Sequence, residues 1–232
     1  MEHREHIEGL KPVLEATDLK KNFYSPHPFP ILKGINLTLR QQDTAAIMGR
    51  SGEGKSTLLH ILGTIEKPCH GALSIANQPV TPFNKSMLRC QHIGFIFQSF
   101  HLLEDYTTLE NVMMPARILR KSVAKGSEAY NRAYYLLEKV GLADRANFHT
   151  KLLSGGEKQR VAIARALCND PDIILADEPS GNLDRQNATA IHELLLSFAQ
   201  EHKKALLVVT HDRELAKLCQ LNFQLHDGIL LS

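Results

Sequence analysis

The sequence predicts an α/β domain, an open parallel sheet with a helical lobe inserted into it. Three observations carry this. Short apolar runs of the buried-strand type recur at 44–48, 93–97, 172–176 and 205–209, with helical patterns among them. Each run ends in polar residues at its carboxyl end. The first leads into Gly49-Arg50-Ser51-Gly52-Glu53-Gly54-Lys55-Ser56, which fits G-x-x-x-x-G-K-[ST] at every fixed position. Strand, glycine-rich loop and helix is the context that a phosphate-binding loop needs.

Taken in order, residues 1–12 read as a loose polar arm. His3 and His6 within it are read as solvated rather than as a metal pair. Val13 to Phe23 and Ile31 to Leu39 read as strands. In the second, Ile35, Leu37 and Leu39 alternate with Asn36, Thr38 and Arg40, the period of a sheet with one buried face. Ser25 to Pro30 reads as a loop, because its three prolines break helix and ladder alike. Phe23 stands at the start of that loop and offers a ring face for stacking on a base.

The phosphate loop opens a helix over 56–62. A short strand at 72–76, a polar loop with Pro79 and Pro82, and the strand at 93–97 follow. From about 99 to 158 helical periodicity dominates. Ala133, Leu136, Leu137 and Val140 recur at helical spacing, and Gly141 supplies a stop. This stretch is read as the inserted lobe. Ser154-Gly155-Gly156-Glu157 then opens a helix running to about Cys168. After the strand at 172–176 comes an amphipathic helix over 184–201, with Ala188, Ile191, Leu195 and Phe198 on one face. The tail reads as a β-hairpin turning at Asp227-Gly228.

Composition narrows the function classes. The 232 residues are 43% hydrophobic and 22% charged, an ordinary globular balance. A formal net charge of +2 makes no electrostatic case for nucleic acid. No apolar run approaches the roughly 18–20 residues of a membrane span, and the charged start lacks the apolar region of a secretory signal. The four scattered cysteines suit a reducing compartment better than a disulfide framework or zinc site.

The strand ends carry the chemistry. In open α/β sheets, ligands sit at the carboxyl ends of the strands. The P-loop, Gln98, Asp177-Glu178 and Thr210-His211 are therefore expected around one nucleotide. Backbone N–H groups of the loop and the helix start would cradle phosphates. Lys55 would reach the β/γ-phosphates, and Ser56 with Asp177 would ligate Mg²⁺. Glu178 would orient or deprotonate the attacking water. Gln98 would touch the metal or the water, and His211 the γ-phosphate or the water. Ser154 and Glu157 form a capping box, a common device with no function of its own. Gly155 and Gly156 also expose backbone N–H groups at that helix start, a second anion site. With one P-loop per chain, two copies would sandwich ATP, each facing the other's Ser154 loop.

In series, the P-loop, Gln98, Leu153-Ser154-Gly155-Gly156-Glu157, Ile173 to Glu178, Asn182-Leu183-Asp184 and His211 resemble the ATP-binding subunits of ABC transporters. The resemblance covers about 13–231. Within that family the chain is most similar to the LolD-like lipoprotein-releasing ATPases and their macrolide-exporter relatives. The stretches that carry this include Gly94 to Gln98, Leu109-Glu110-Asn111-Val112, Arg160 to Leu167 and Ala176 to Asp184.

This resemblance implies a P-loop NTPase core with a small antiparallel β-lobe and a helical subdomain. It implies an ATPase that closes as a head-to-tail homodimer and drives membrane permease subunits, which dock beside Gln98 at the cytoplasmic face of the inner membrane. By position, Phe23 matches the adenine-stacking aromatic, residues 49–57 including Thr57 the phosphate site, and Asp184 the residue crossing the dimer interface. A related exporter or cell-division ATPase is the alternative.

The chain departs from the family at three positions. Phe23 stands in place of tyrosine, Glu157 in place of glutamine, and Glu53 where the family has a small residue. A carboxylate so close to triphosphate is expected to turn away and pair with a cation, Arg50 locally or one across the dimer interface.

Overall fold

The computed structural model describes residues 10–24 and 28–231. Most of the expected N-terminal arm, with His3 and His6, lies outside the described residues, as does Ser25-Pro26-His27.

Two sheets organise the chain. The first is antiparallel. It contains β1 (Pro12–Tyr24), β2 (Pro28–Arg40), β4 (His70–Ile75) and β5 (Gln78–Pro79), in the order β2-β1-β4-β5. The second contains β3 (Thr44–Met48), β6 (Ile93–Ile96), β7 (Ile173–Asp177), β8 (Ala205–Val209), β9 (Leu221–His226) and β10 (Ile229–Leu231). Its order is β10-β9-β3-β8-β7-β6, parallel except for the terminal β9–β10 hairpin.

The parallel strands are buried on both faces, which is why they read as continuous apolar runs. Side chains alternate between two cores. Ile173, Leu175, Ala205, Leu207 and Val209 join the core shared with the antiparallel sheet and α1 (Lys55–Leu62). Ile174, Ala176, Leu206 and Val208 join the core on the other face. That second core takes in α3 (Thr108–Ile118), α4 (Glu128–Lys139), α5 (Gly155–Leu167) and α6 (Arg185–Glu201). Ala133, Leu136, Leu137 and Val140 all point into it. Gly141 takes a φ of +70° after α4, the left-handed conformation expected of a helix stop.

Two expectations change. Pro28, Phe29 and Pro30 are not loop residues; they extend β2, opposite Tyr24, Phe23 and Asn22. β2 lies at the edge of its sheet, where one side of the strand carries no ladder bonds and a missing N–H costs little. Two helices escaped the sequence reading. α2 (Lys85–His92) buries only Leu88, so no apolar stripe marks it. α7 (Arg213–Leu218) has six residues, too few for periodicity to register, though Asp212 before it is a legible cap.

Candidate active site

The site begins where β3 ends. Gly54 starts α1 at a φ of +94°, and no side chain caps the helix. A Cβ at Gly54 would lie 2.7 Å from Ile31 Cγ1, so both conformation and space demand glycine. The first helical N–H groups are left for a ligand. Lys55 Nζ donates to the carbonyls of Gly49 at 2.8 Å and Arg50 at 2.9 Å. These bonds fold the ammonium against its own loop. The cleft over the loop has a volume of about 410 Å³. Ser51, Gly52, Thr57 and Ile31 line it, and Gln98, Glu178 and His211 join them from β6, β7 and β8. The expected convergence of strand ends is present.

The two carboxylates diverge as they leave β7. Asp177 is buried, and the Ser56 hydroxyl donates to its Oδ1 at 3.1 Å. Burial raises the Asp177 carboxyl above its ordinary pKa, opposed by that hydrogen bond. A hydroxyl and a carboxylate beside the P-loop lysine are hard oxygen donors, a set that suits Mg²⁺ completed by phosphates and water. Glu178 turns the other way, at a φ of +44°. For a residue other than glycine, and one preceding proline, that conformation costs about 1–3 kcal/mol. Its N–H is held by the Val209 carbonyl at 2.9 Å. Its Oε2 accepts from Thr210 Oγ1 at 3.2 Å and from the His211 N–H at 3.3 Å, and lies 2.9 Å from His211 Nδ1. Thr210, expected near the nucleotide without a role of its own, makes its contact with Glu178.

Gln98 is tied to the loop beyond Glu178. Asn182 Nδ2 donates to the Gln98 carbonyl at 2.9 Å, and a Cβ on Gly181 would lie 3.2 Å from Gln98 Nε2. The turn after Gln98 takes Phe100 and His101 through positive φ. Arg165 of α5 grips that turn, donating to the Phe100 carbonyl at 2.7 Å and the His101 carbonyl at 2.5 Å. Burial pulls the Arg165 guanidinium down to a pKa of about 10, still charged at neutral pH.

The Ser154 helix start lies apart from the cleft lining. Ser154 caps α5, and its Oγ accepts from the Glu157 N–H at 3.3 Å. Glu157 Oε2 reaches back to the Ser154 N–H and hydroxyl, both at 2.8 Å. A Cβ on Gly156 would lie 2.9 Å from Asn187 Oδ1, and Gly155 faces Leu183. Asp184 caps α6, accepting from the Asn187 N–H at 3.0 Å and its Nδ2 at 2.6 Å. Asn187 therefore joins the starts of α5 and α6, a link that only the fold makes visible.

The partner of Glu53 differs from expectation. Glu53 does turn aside, but its partners are the Arg50 backbone N–H and a histidine, not the Arg50 side chain. Glu53 Oε2 accepts from the Arg50 backbone N–H at 2.7 Å, and Oε1 lies 3.1 Å from His226 Nδ1 on β9. The His226 hydrogen bond is the main reason the Glu53 carboxyl is held below its ordinary pKa, and the Arg50 N–H adds to it. His226 lies 173 positions along the chain, beyond any local motif. Phe23 is 45% exposed on β1 with the Lys21 ammonium 5.6 Å over its ring, outside the residues lining the cleft.

Known proteins resemble this chain over most of its length. The ABC transporter family profile matches residues 32–181. The lipoprotein-releasing system ATP-binding protein LolD of Protochlamydia amoebophila is 62% identical over 218 residues, 94% of this chain and 96% of that protein. LolD 1 of Caulobacter vibrioides is 45% identical, covering 95% of each chain. Among solved structures, the dimeric bacterial ABC transporter cassette MJ0796 superposes with a TM-score of 0.86 at 37% identity, over 94% of this chain and 97% of its own. A post-hydrolysis state of that cassette, bound to ADP and Pi, gives the same TM-score at 36% identity and the same coverage. With its P-loop cleft, adjacent carboxylates and Ser154-capped α5, the chain belongs to the ABC transporter family, among its ATP-hydrolysing cassettes.

Proposed function

We propose that this chain is the ATP-hydrolysing subunit of a lipoprotein-releasing transporter. The observation that carries the chemistry is the meeting of Ser56–Asp177 and Glu178–His211 at the two sides of one P-loop cleft. The cargo follows the 62% identical relative named for lipoprotein release. Ser56 and Asp177, with Gln98, would hold Mg²⁺, which when bound neutralises charge on the β- and γ-phosphates. Lys55 and the loop N–H groups bind and orient the triphosphate. Glu178 accepts the proton of the attacking water, and His211 contacts the γ-phosphate. Phe23 stacks on the base.

Ser154 to Glu157 of a second copy complete the site across a head-to-tail dimer, and Asp184 crosses the same interface. Among the described residues no helix is long and apolar enough to cross a membrane. Permease subunits on other chains supply the passage, docking beside Gln98 at the cytoplasmic face of the inner membrane. A substitution of Glu178 tests the reaction. Glu178→Gln binds ATP, hydrolyses it at least ~10²-fold more slowly, and accumulates as an ATP-bound dimer by size-exclusion chromatography. Turnover near the wild-type rate would place water activation elsewhere. Co-purification from detergent-solubilised membranes identifies the permease, and an exporter in place of a lipoprotein-release permease would overturn the cargo.

A further inference from the structure

One buried polar side chain takes no part in the site described so far. His192 lies on the inward side of α6, beside Ile191 and one turn before Leu195, and is 5% exposed. Its Nε2 lies 2.8 Å from Ser180 Oγ and 3.8 Å from Asp212 Oδ2. Ser180 follows Glu178-Pro179 in the loop leaving β7. Asp212 follows Thr210-His211 in the loop leaving β8. One imidazole nitrogen therefore stands between the two loops that carry Glu178 and His211, hydrogen-bonded to the first and packed against a carboxylate of the second.

This is not a nucleophile relay. In a relay, acid and nucleophile occupy opposite ring nitrogens; here both face Nε2. A carboxylate on that edge favours a hydrogen on Nε2, which then donates to Ser180 Oγ with the Asp212 carboxylate alongside. Burial lowers the affinity of the ring for a second proton and Asp212 partly restores it, so His192 is neutral at neutral pH.

The contacts continue back to the reaction. The Asp212 N–H donates to Thr210 Oγ1 at 3.0 Å, and Thr210 Oγ1 donates to Glu178 Oε2 at 3.2 Å. Glu178, Thr210 and Asp212 are thus hydrogen-bonded in series, and His192, bonded to Ser180, packs beside Asp212 on the far side of the strained Glu178 backbone. Such a conformation persists only where its surroundings over-determine it. The position itself favours an apolar residue, since a buried imidazole is costly without partners.

We infer that His192 is a positioning residue for the ATPase reaction, holding the Ser180 and Asp212 loops in register so that Glu178 and His211 meet at the cleft. The inference rests on the ATPase reading above.

The test compares His192→Phe, His192→Gln, Ser180→Ala and the double variant S180A/H192F. Phenylalanine keeps a ring and removes both nitrogens. Glutamine keeps an N–H donor near the place of Nε2. Steady-state ATP hydrolysis and the thermal midpoint are measured on the full chain, with wild type and Glu178→Gln in parallel. His192→Phe and Ser180→Ala are each expected to lower kcat about five- to tenfold, the scale of a small misplacement of catalytic groups, with KM unchanged within about twofold. The double variant falls no further than the worse single one, because both break one link. Glutamine restores at least about half of the wild-type kcat.

Wild-type kcat in His192→Phe, loss without rescue by glutamine, or multiplied losses in the double variant would each overturn the inference. If His192→Phe does not fold, Ser180→Ala and His192→Gln decide: wild-type kcat in Ser180→Ala overturns it. Glu178→Gln as active as wild type sinks the proposed role of Glu178, whereas an inactive Glu178→Gln beside a fully active His192→Phe sinks the positioning role alone. A wild-type chain that does not hydrolyse ATP overturns both.

Discussion

Two glycine-containing helix starts in this chain are built in opposite ways. α1 begins at Gly54 with no side-chain cap. α5 begins at Ser154 with a complete capping box, in which Glu157 and Ser154 satisfy each other. An uncapped helix start within a folded chain leaves donors for an external anion; a capped one has met part of its need internally. Strand ends from distant parts of the chain surround α1, whereas α5 meets the start of α6 and lies outside the cleft. The difference separates a site assembled within one chain from a surface whose ligand would arrive with a second copy.

Breaking the first start gives the larger effect. Gly54→Ala forces a side chain into a left-handed conformation and against Ile31. The conformational cost is roughly 1–2 kcal/mol; the free loop relaxes to escape it and binding must restore the strained form, about 5–30-fold in nucleotide affinity. Isothermal titration with ATP is expected to show at least that loss. Binding at wild-type strength would mean that the helix start tolerates a Cβ and that glycine is not demanded there.

Ser154→Arg tests the second start. Nucleotide binding to the isolated chain stays intact, because the chain's own cleft is untouched, while ATP-driven dimerisation is lost. The matched control, Ser154→Ala, removes the cap and lowers stability by about 1 kcal/mol. If Ser154→Arg weakens binding to the monomer, the Ser154 helix supports its own chain's cleft and the two regions are not separate.

Asp177→Asn sharpens the account of the first site. Burial raises the Asp177 pKa in the folded chain, which therefore holds that proton more tightly than the unfolded chain. Stability falls as pH rises from the ordinary aspartate value through the raised one, and the cost is constant above it. Removing the charge should raise the thermal midpoint of the nucleotide-free protein at neutral pH and flatten that part of its pH dependence. It should also abolish Mg²⁺-dependent stabilisation by ATP. A lower midpoint would show that the Ser56 hydrogen bond outweighs desolvation.

The smallest effect is expected at Glu53. Its carboxylate is engaged by His226 and the Arg50 N–H, so Glu53→Ser should change monomer ATP affinity by less than about tenfold, under 1.4 kcal/mol. A larger gain that shrinks at high salt would show the carboxylate facing the phosphates.

Much of this molecule was legible without coordinates, for identifiable reasons. The parallel strands are buried on both faces and so appear as unbroken apolar runs. Gly54, Lys55 and Ser56 answer to one local geometry, and the helix caps Ser154 and Asp184 act within three residues of themselves. Local physics writes these features into contiguous sequence, although the cap at Asp184 was recognised only in the fold. Pro28 to Pro30 misled because proline excludes a residue from a ladder only on its bonded side, and which strand forms the edge is decided by the whole sheet. The Glu53–His226 pair spans 173 positions, and Ser180 and Asp212 are brought together only by His192 on a third element. Those contacts depend on strand order and helix packing, in which residues far apart in the chain come within a few ångströms. The sequence alone determined the parallel strands, the P-loop and the Ser154 cap; tertiary structure decided where the edge strand begins and which side chains brace the site.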